Sequence, residues 1–255
     1  MHFRHMVRDR FALHQLREHR DIAQFLHSRS TVDRVEVNDS AVPYNFGDWF
    51  GVQQYNGYLP GAPWPLIEVH YIPTVRNLLG NRYLVSGAPN DLHTGPVFEG
   101  PSGIKVFENP NAFPRAFAVH STLTVRNEED LFAIFRNREH ELRQVAVLVG
   151  EQLDIGPCDA ADEIEISHYT PARVQLRANM GCEGLVVVSD AWFPGWKAYV
   201  DGAEAHVYRV DGLIRGVVTP PGRHEIVFAY RPAAPYLGCG LLLTGILPLA
   251  ALHRV

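Results

Sequence analysis

Between residues 163 and 230 apolar and polar positions mostly alternate with a period of two. EIEISHY sets Ile164 and Ile166 against Glu163 and Glu165, and RVQLRAN repeats the alternation. GLVVVSD is apolar through its first five positions and reads as a fully apolar strand. Tyr199 and Val200 run into Asp201-Gly202, a strong short hairpin signal, after which AHVYRV returns. GLIRGVVTP and GRHEIVFAYRP supply two further strands, separated by Pro220-Pro221-Gly222. Roughly six strands at eight-to-twelve-residue spacing predict a β-sandwich.

Upstream the period changes. Phe11, Leu13, Leu16, Ile22, Phe25 and Leu26 recur at about helical spacing and predict an amphipathic helix over Arg8–Arg29. Val35 and Val37 begin a short alternation, and PTVRNLLG reads as a short helix stopped by Gly80, leading into a strand at 82–86. A second helix is predicted near Glu128–Leu142, capped by Asn127 and acidic in its first turn, followed by an apolar strand at 145–149. Residues Ala233–Leu252 carry no formal charge for twenty positions. As a helix they would rise about 30 Å, the thickness of a hydrocarbon core, and Tyr236 suits the headgroup level. A buried C-terminal helix or strand pair is the competing reading. The predicted class is α+β: a small α/β N-terminal portion (1–104), an antiparallel β-sandwich (105–232) and one C-terminal transmembrane helix (233–255).

Composition narrows the function classes. The 255 residues are 46% hydrophobic and 20% charged, enough for a core and too apolar for a disordered chain. A net charge of −5 gives no electrostatic footprint for nucleic acid. Residues 1–34 are basic, with seven arginines, four acids and five histidines, and open without an apolar signal-peptide core. His14 and His19 lack HExxH spacing, so no metal site or cofactor is assigned. Cys158, Cys182 and Cys239 show no CxxC pattern; a Cys158–Cys182 bridge fits an oxidising compartment, and spacing alone leaves the pairing open. No GxSxG, HExxH or Cys/His nucleophile pairing points to a soluble hydrolase.

Three segments carry candidate chemistry. Trp49, Phe50, Tyr55 and Tyr58 offer flat rings suited to stacking on a sugar, or a loop folded on its own aromatics. Glu163 and Glu165 share a strand face, as a glycosidase pair or as a solvated face. In DAWFPGWKAYVDG, Trp196, Ala198 and Val200 fall on one strand face and Lys197, Tyr199 and Asp201 on the other. Three readings stay open for this segment. It is a core corner built on Trp192 and Trp196, or a glycan- or headgroup-binding platform using Asp190, Trp192, Trp196, Lys197 and Tyr199, or a catalytic site at Asp190.

Residues 189–202, SDAWFPGWKAYVDG, resemble the C-terminal module of the YfhO-like family of bacterial multi-pass membrane proteins. ENPNAFPRAF at 108–117, LGNRY at 79–83, and Arg215-Gly216-Val217 with Pro221-Gly222-Arg223-His224 are similar to further segments of that family. The likeness spans about residues 70–252. It implies a relation to GT-C glycosyltransferases, which move sugar from a polyprenyl-phosphate donor to an envelope glycan. The catalytic acids of that class lie between N-terminal spans not found in this sequence, so no catalytic residue is carried over. The resemblance implies an accessory extracytoplasmic domain, held in the cell membrane through residues 233–252 and inactive without an N-terminal membrane module. Its ligands would be a glycan or a polyprenyl-linked sugar. A membrane-attached carbohydrate-binding or structural interaction module is the alternative.

Overall fold

The computed structural model describes residues 17–30, 32–57, 64–137, 142–156, 158 and 160–232. Among the described residues the fold is α+β, built on three sheets.

The N-terminal sheet has the order β1 (Arg34–Val37), β2 (Asn81–Ser86), β4 (Lys105–Glu108), β3 (Gly95–Glu99), with β1 parallel to β2 and the other pairs antiparallel. Helix α1 (Arg20–Arg29) lays Ile22, Ala23 and Leu26 on this sheet, against Val35, Val37, Tyr83, Val85 and Val106. It is the described end of the helix expected over Arg8–Arg29; residues 1–16 lie outside the described residues. Short helix α2 (Phe46–Phe50) closes the same core through Phe46.

The central sheet has six strands: β5 (Ala116–Val119), β10 (Gly184–Ala191), β14 (Ile214–Thr219), β13 (Tyr208–Val210), β7 (Ala146–Val149) and β6 (Thr122–Val125), in that spatial order. The outer sheet has five: β12 (Ala203–Ala205), β11 (Trp196–Val200), β15 (Gly222–Tyr230), β9 (Arg173–Met180) and β8 (Glu163–Thr170). A shared core of Val174, Leu176, Ala178, Val186, Val188, Val217, Ile226 and Phe228 lies between them, so the two form a sandwich.

The apolar run of β10 follows from its place. Val186 and Val188 face the outer sheet, whereas Leu185 and Val187 face the opposite core. That second core is closed by α3 (Trp64–Val69), α4 (Pro73–Leu78) and α5 (Glu128–Asn137), through Val69, Val75, Leu78, Leu131 and Phe135. A strand covered on both faces has no solvent side on which to place polar residues.

Several local expectations hold. The Asn127 side chain accepts the Asp130 N–H at 2.9 Å, capping α5, and Gly80 takes φ +68 just beyond α4. Asp201 (φ 51) and Gly202 (φ 82) form the two-residue β11–β12 hairpin turn. One expectation is corrected. The sandwich is not wholly antiparallel, because β6 runs parallel to β7, joined by the α5 crossover that a parallel pair requires. The described part of α5 runs Glu128–Asn137, and residues 138–141 of the helix expected near Glu128–Leu142 lie outside the described residues. The span expected over residues 233–252 lies outside the described residues, and among the described residues no helix is long and apolar enough to cross a membrane.

Candidate functional site

The β10 strand loses register with β14 between Val188 and Ala191, and Asp190 sits in that irregularity. Its carboxylate is where the three sheets meet. Arg34 reaches it from β1, Arg115 from the residue before β5, Arg215 from β14, and Tyr169 from β8. Oδ2 accepts Arg215 Nη2 at 2.8 Å. Oδ1 is shared by Arg115 Nη2 at 2.6 Å and Arg34 Nη2 at 3.1 Å, and the Tyr169 hydroxyl donates to it at 3.1 Å.

Three guanidinium groups thus converge on one carboxylate. Burial alone would push the Asp190 carboxyl up, but Arg115, Arg215 and Arg34 hold it below the usual carboxylate range. Burial, reinforced by Arg115, pulls Arg34 down to about 10, and burial also lowers Arg215. Aromatic faces absorb part of the excess charge. The Arg215 guanidinium lies 3.7 Å from the centre of the Trp196 ring and 5.6 Å from that of Phe228. Arg115 stands 5.2 Å from the Tyr169 ring centre, and its Nε and Nη1 are buried without a partner among the described residues.

Arg34, Arg115, Tyr169 and Asp190 form one end of a cavity of about 590 Å³, whose remaining wall includes Tyr44, Gln54, Tyr55, Asn56 and Leu66. On the other side of Asp190 a shallower pocket of about 360 Å³ is lined by Phe193, Trp196, Arg215 and Tyr230. Phe193 and Tyr230 keep 36% and 38% of their surface exposed, so this end presents rings to solvent. Tyr169, Asp190 and Ala191 line both spaces.

The residues singled out in sequence are divided by this arrangement. Asp190 and Trp196 come together at the Arg215 side chain. Trp192 lies apart, with Arg209 stacked 5.9 Å from its ring centre. Trp196 packs against the sandwich core with Ala198 and Val200, which leaves Lys197 and Tyr199 on the opposite strand face. Lys197 is exposed and ion-paired with Glu204. Gly195 is required at the corner before β11: its φ is +105, and a Cβ there would stand 2.9 Å from Pro232 Cα.

Of the other candidates, Trp49 is exposed and Phe50 packs on the N-terminal core. Tyr55 lines the arginine cavity, where burial raises its hydroxyl pKa, and Tyr58 lies outside the described residues. Glu163 and Glu165 sit on an open face of β8, Glu165 paired with Arg177 at 3.6 Å with both side chains about 70% exposed. They form a solvated face.

Sequence reasoning missed Arg34, Arg115, Arg215 and Tyr169. Arg215 carried a readable signal, being the charged residue of the otherwise apolar LIRGVV.

No protein-family model, curated protein or solved structure matches this chain.

Trp196→Ala is expected to cost about 2–4 kcal/mol, because it removes a half-buried ring together with the face that covers Arg215. Urea denaturation checks this, and Trp49→Ala, on an exposed ring, is expected to change stability by less than about 0.5 kcal/mol.

Proposed function

We propose that this chain is a non-catalytic binding module for an anionic saccharide, a sugar phosphate or sugar acid, seated between the arginine cavity and the aromatic pocket. The observation that carries the reading is the sharing of Asp190 Oδ1: Arg34 and Arg115, the two arginines that line the larger cavity, divide one carboxylate oxygen between them. An anion in that cavity would complete their pairing, and planar guanidinium groups suit phosphate or carboxylate oxygens. The rings of Phe193, Trp196 and Tyr230 suit the apolar face of a sugar. Asp190 itself is a poor acid or base, since its carboxylate is ionised and engaged by three cations and a hydroxyl.

In the setting the sequence resemblance implies, the module is the accessory extracytoplasmic domain of a YfhO-like membrane glycosyltransferase. It would position a polyprenyl-phosphate-linked sugar or an acidic envelope glycan, with residues 233–252 in the bilayer. One observation favours the alternative, a membrane-attached carbohydrate-binding module unrelated to a transferase: the site is assembled within one chain, from all three of its sheets.

Calorimetric titration with glucose 1-phosphate and with glucose tests the reading. The phosphorylated sugar is expected to bind at least about tenfold more tightly, a difference of about 1.4 kcal/mol. Arg34→Gln is expected to remove most of that preference. Equal affinity for the two sugars, or a preference untouched by Arg34→Gln, would overturn it.

A further inference from the structure

Away from the arginine site, three separate segments meet at one end of the sandwich. His120 comes from the β5–β6 turn, Cys182 from the β9–β10 turn, and Cys158 with Asp162 from the lead into β8. The two sulfurs and a His120 ring nitrogen lie within 4.8 Å of one another. Asp162 Oδ2 stands 2.6 Å from His120 Nε2.

The surroundings orient these donors. The Glu183 carbonyl lies 2.9 Å from His120 Nδ1, so Nδ1 carries a proton and donates it there. Nε2 faces the Asp162 carboxylate across a shared proton, an imidazolium–carboxylate pair that metal binding would displace. The other Asp162 oxygen accepts the Gly181 N–H at 2.9 Å, and the Ala160 N–H donates to Cys158 Sγ at 3.3 Å. A Cβ on Gly184 would come within 2.7 Å of the His120 ring, so the ring's seat depends on glycine. A histidine anchored by one nitrogen on a backbone carbonyl, with the other nitrogen turned to a donor cluster, is a recurrent arrangement at metal ligands.

We propose that His120, Asp162, Cys158 and Cys182 form a zinc site in the reduced protein. Cys158, Cys182 and His120 supply three donors of the types that tetrahedral Zn²⁺ accepts, and Asp162, beside His120 but outside that 4.8 Å cluster, would turn in as the fourth. In the structure Cys158 and Cys182 are joined in a disulfide. Metal and disulfide are therefore alternative states of one cluster. Two electrons and two protons from a reductant open the S–S bond to two thiols, and Zn²⁺ then displaces both thiol protons as it binds the thiolates. The disulfide state suits an oxidising compartment and the metal state a reducing one.

Cobalt titration of the full chain tests the proposal, after anaerobic reduction by a phosphine that takes oxygen from water and leaves as its oxide. One Co²⁺ per chain is expected to bind, with a thiolate-to-cobalt charge-transfer band and the intense visible bands of a tetrahedral ion. Zn²⁺ should displace it. His120→Gln and Asp162→Asn should each weaken cobalt binding by at least about tenfold, and the oxidised chain should take up none. Reduced chain with Cys158 and Cys182 titrating as free thiols but showing no such band would overturn the proposal. So would cobalt affinity unchanged by His120→Gln, or a disulfide that the phosphine cannot open in the folded chain.

Discussion

Asp190→Asn is expected to lower the folding free energy by about 3–5 kcal/mol, because it leaves three converging guanidinium groups without their counter-charge. The substitution keeps the shape of the side chain and one oxygen acceptor, so the loss reports charge rather than a cavity. Arg115 and Arg215 have almost no solvent contact, with side chains 4% and 2% exposed, and water cannot replace the missing carboxylate. Inorganic phosphate should recover part of the loss, raising the melting temperature of the variant more steeply than that of the parent chain. Urea denaturation with and without phosphate measures both effects. A variant within about 0.5 kcal/mol of the parent would mean that the arginines are neutralised without Asp190.

Asp211→Asn is expected to stabilise the protein at neutral pH. Asp211 follows β13 at φ 50, a conformation that asparagine tolerates, and its Oδ1 accepts the Val147 N–H at 2.8 Å. Burial pushes its carboxyl from 3.8 up to about 7, against the smaller pull of that hydrogen bond. The folded chain therefore holds a proton that the unfolded chain has released, and stability falls as pH rises from about 4 to about 7. A displacement of about three units is worth about 4 kcal/mol, which asparagine would recover above pH about 7 and not below pH about 4.

His93 has the opposite slope. It is fully buried, and burial pulls its pKa from 6.5 down to about 4, so its contribution is complete above 6.5 and is lost as pH falls towards 4. In the parent chain the two slopes largely offset each other between about pH 4 and 6.5. In Asp211→Asn the rise due to His93, joined by that of His19 whose pKa burial also lowers, should no longer be offset. Urea denaturation across this range reads it directly, and a parallel pair of pH curves would contradict the assignment of the buried proton to Asp211.

The partners of Asp190 were not visible from local pattern. Asp190 stood out because it adjoins an aromatic corner, but its partners lie 156, 75 and 25 positions away along the chain. Lys197 and Tyr199 were grouped with it by sequence proximity, and strand alternation sends them to the other face. The cysteine pair was open on spacing, because a separation of 24 residues says nothing about two turns meeting in space.

What the chain determined locally was considerable. The period of two in β8 and β9, the unbroken apolar run of β10, the Asp201-Gly202 turn, the Asn127 cap and the Gly80 stop each depend on neighbours a few residues apart, and each is present as read. Tertiary structure decided the rest. The PPG linker and the Trp192–Gly195 corner each carry the chain from the central to the outer sheet, so strands adjacent in sequence are placed in different layers. Asp190 on β10 thus meets Arg115 and Arg215 from the strands beside it, Tyr169 from the outer sheet and Arg34 from the N-terminal sheet. Hydrophobic periodicity specifies which face of a strand is buried, while the partner of a buried charge is set by long-range packing, to which a local pattern carries no reference.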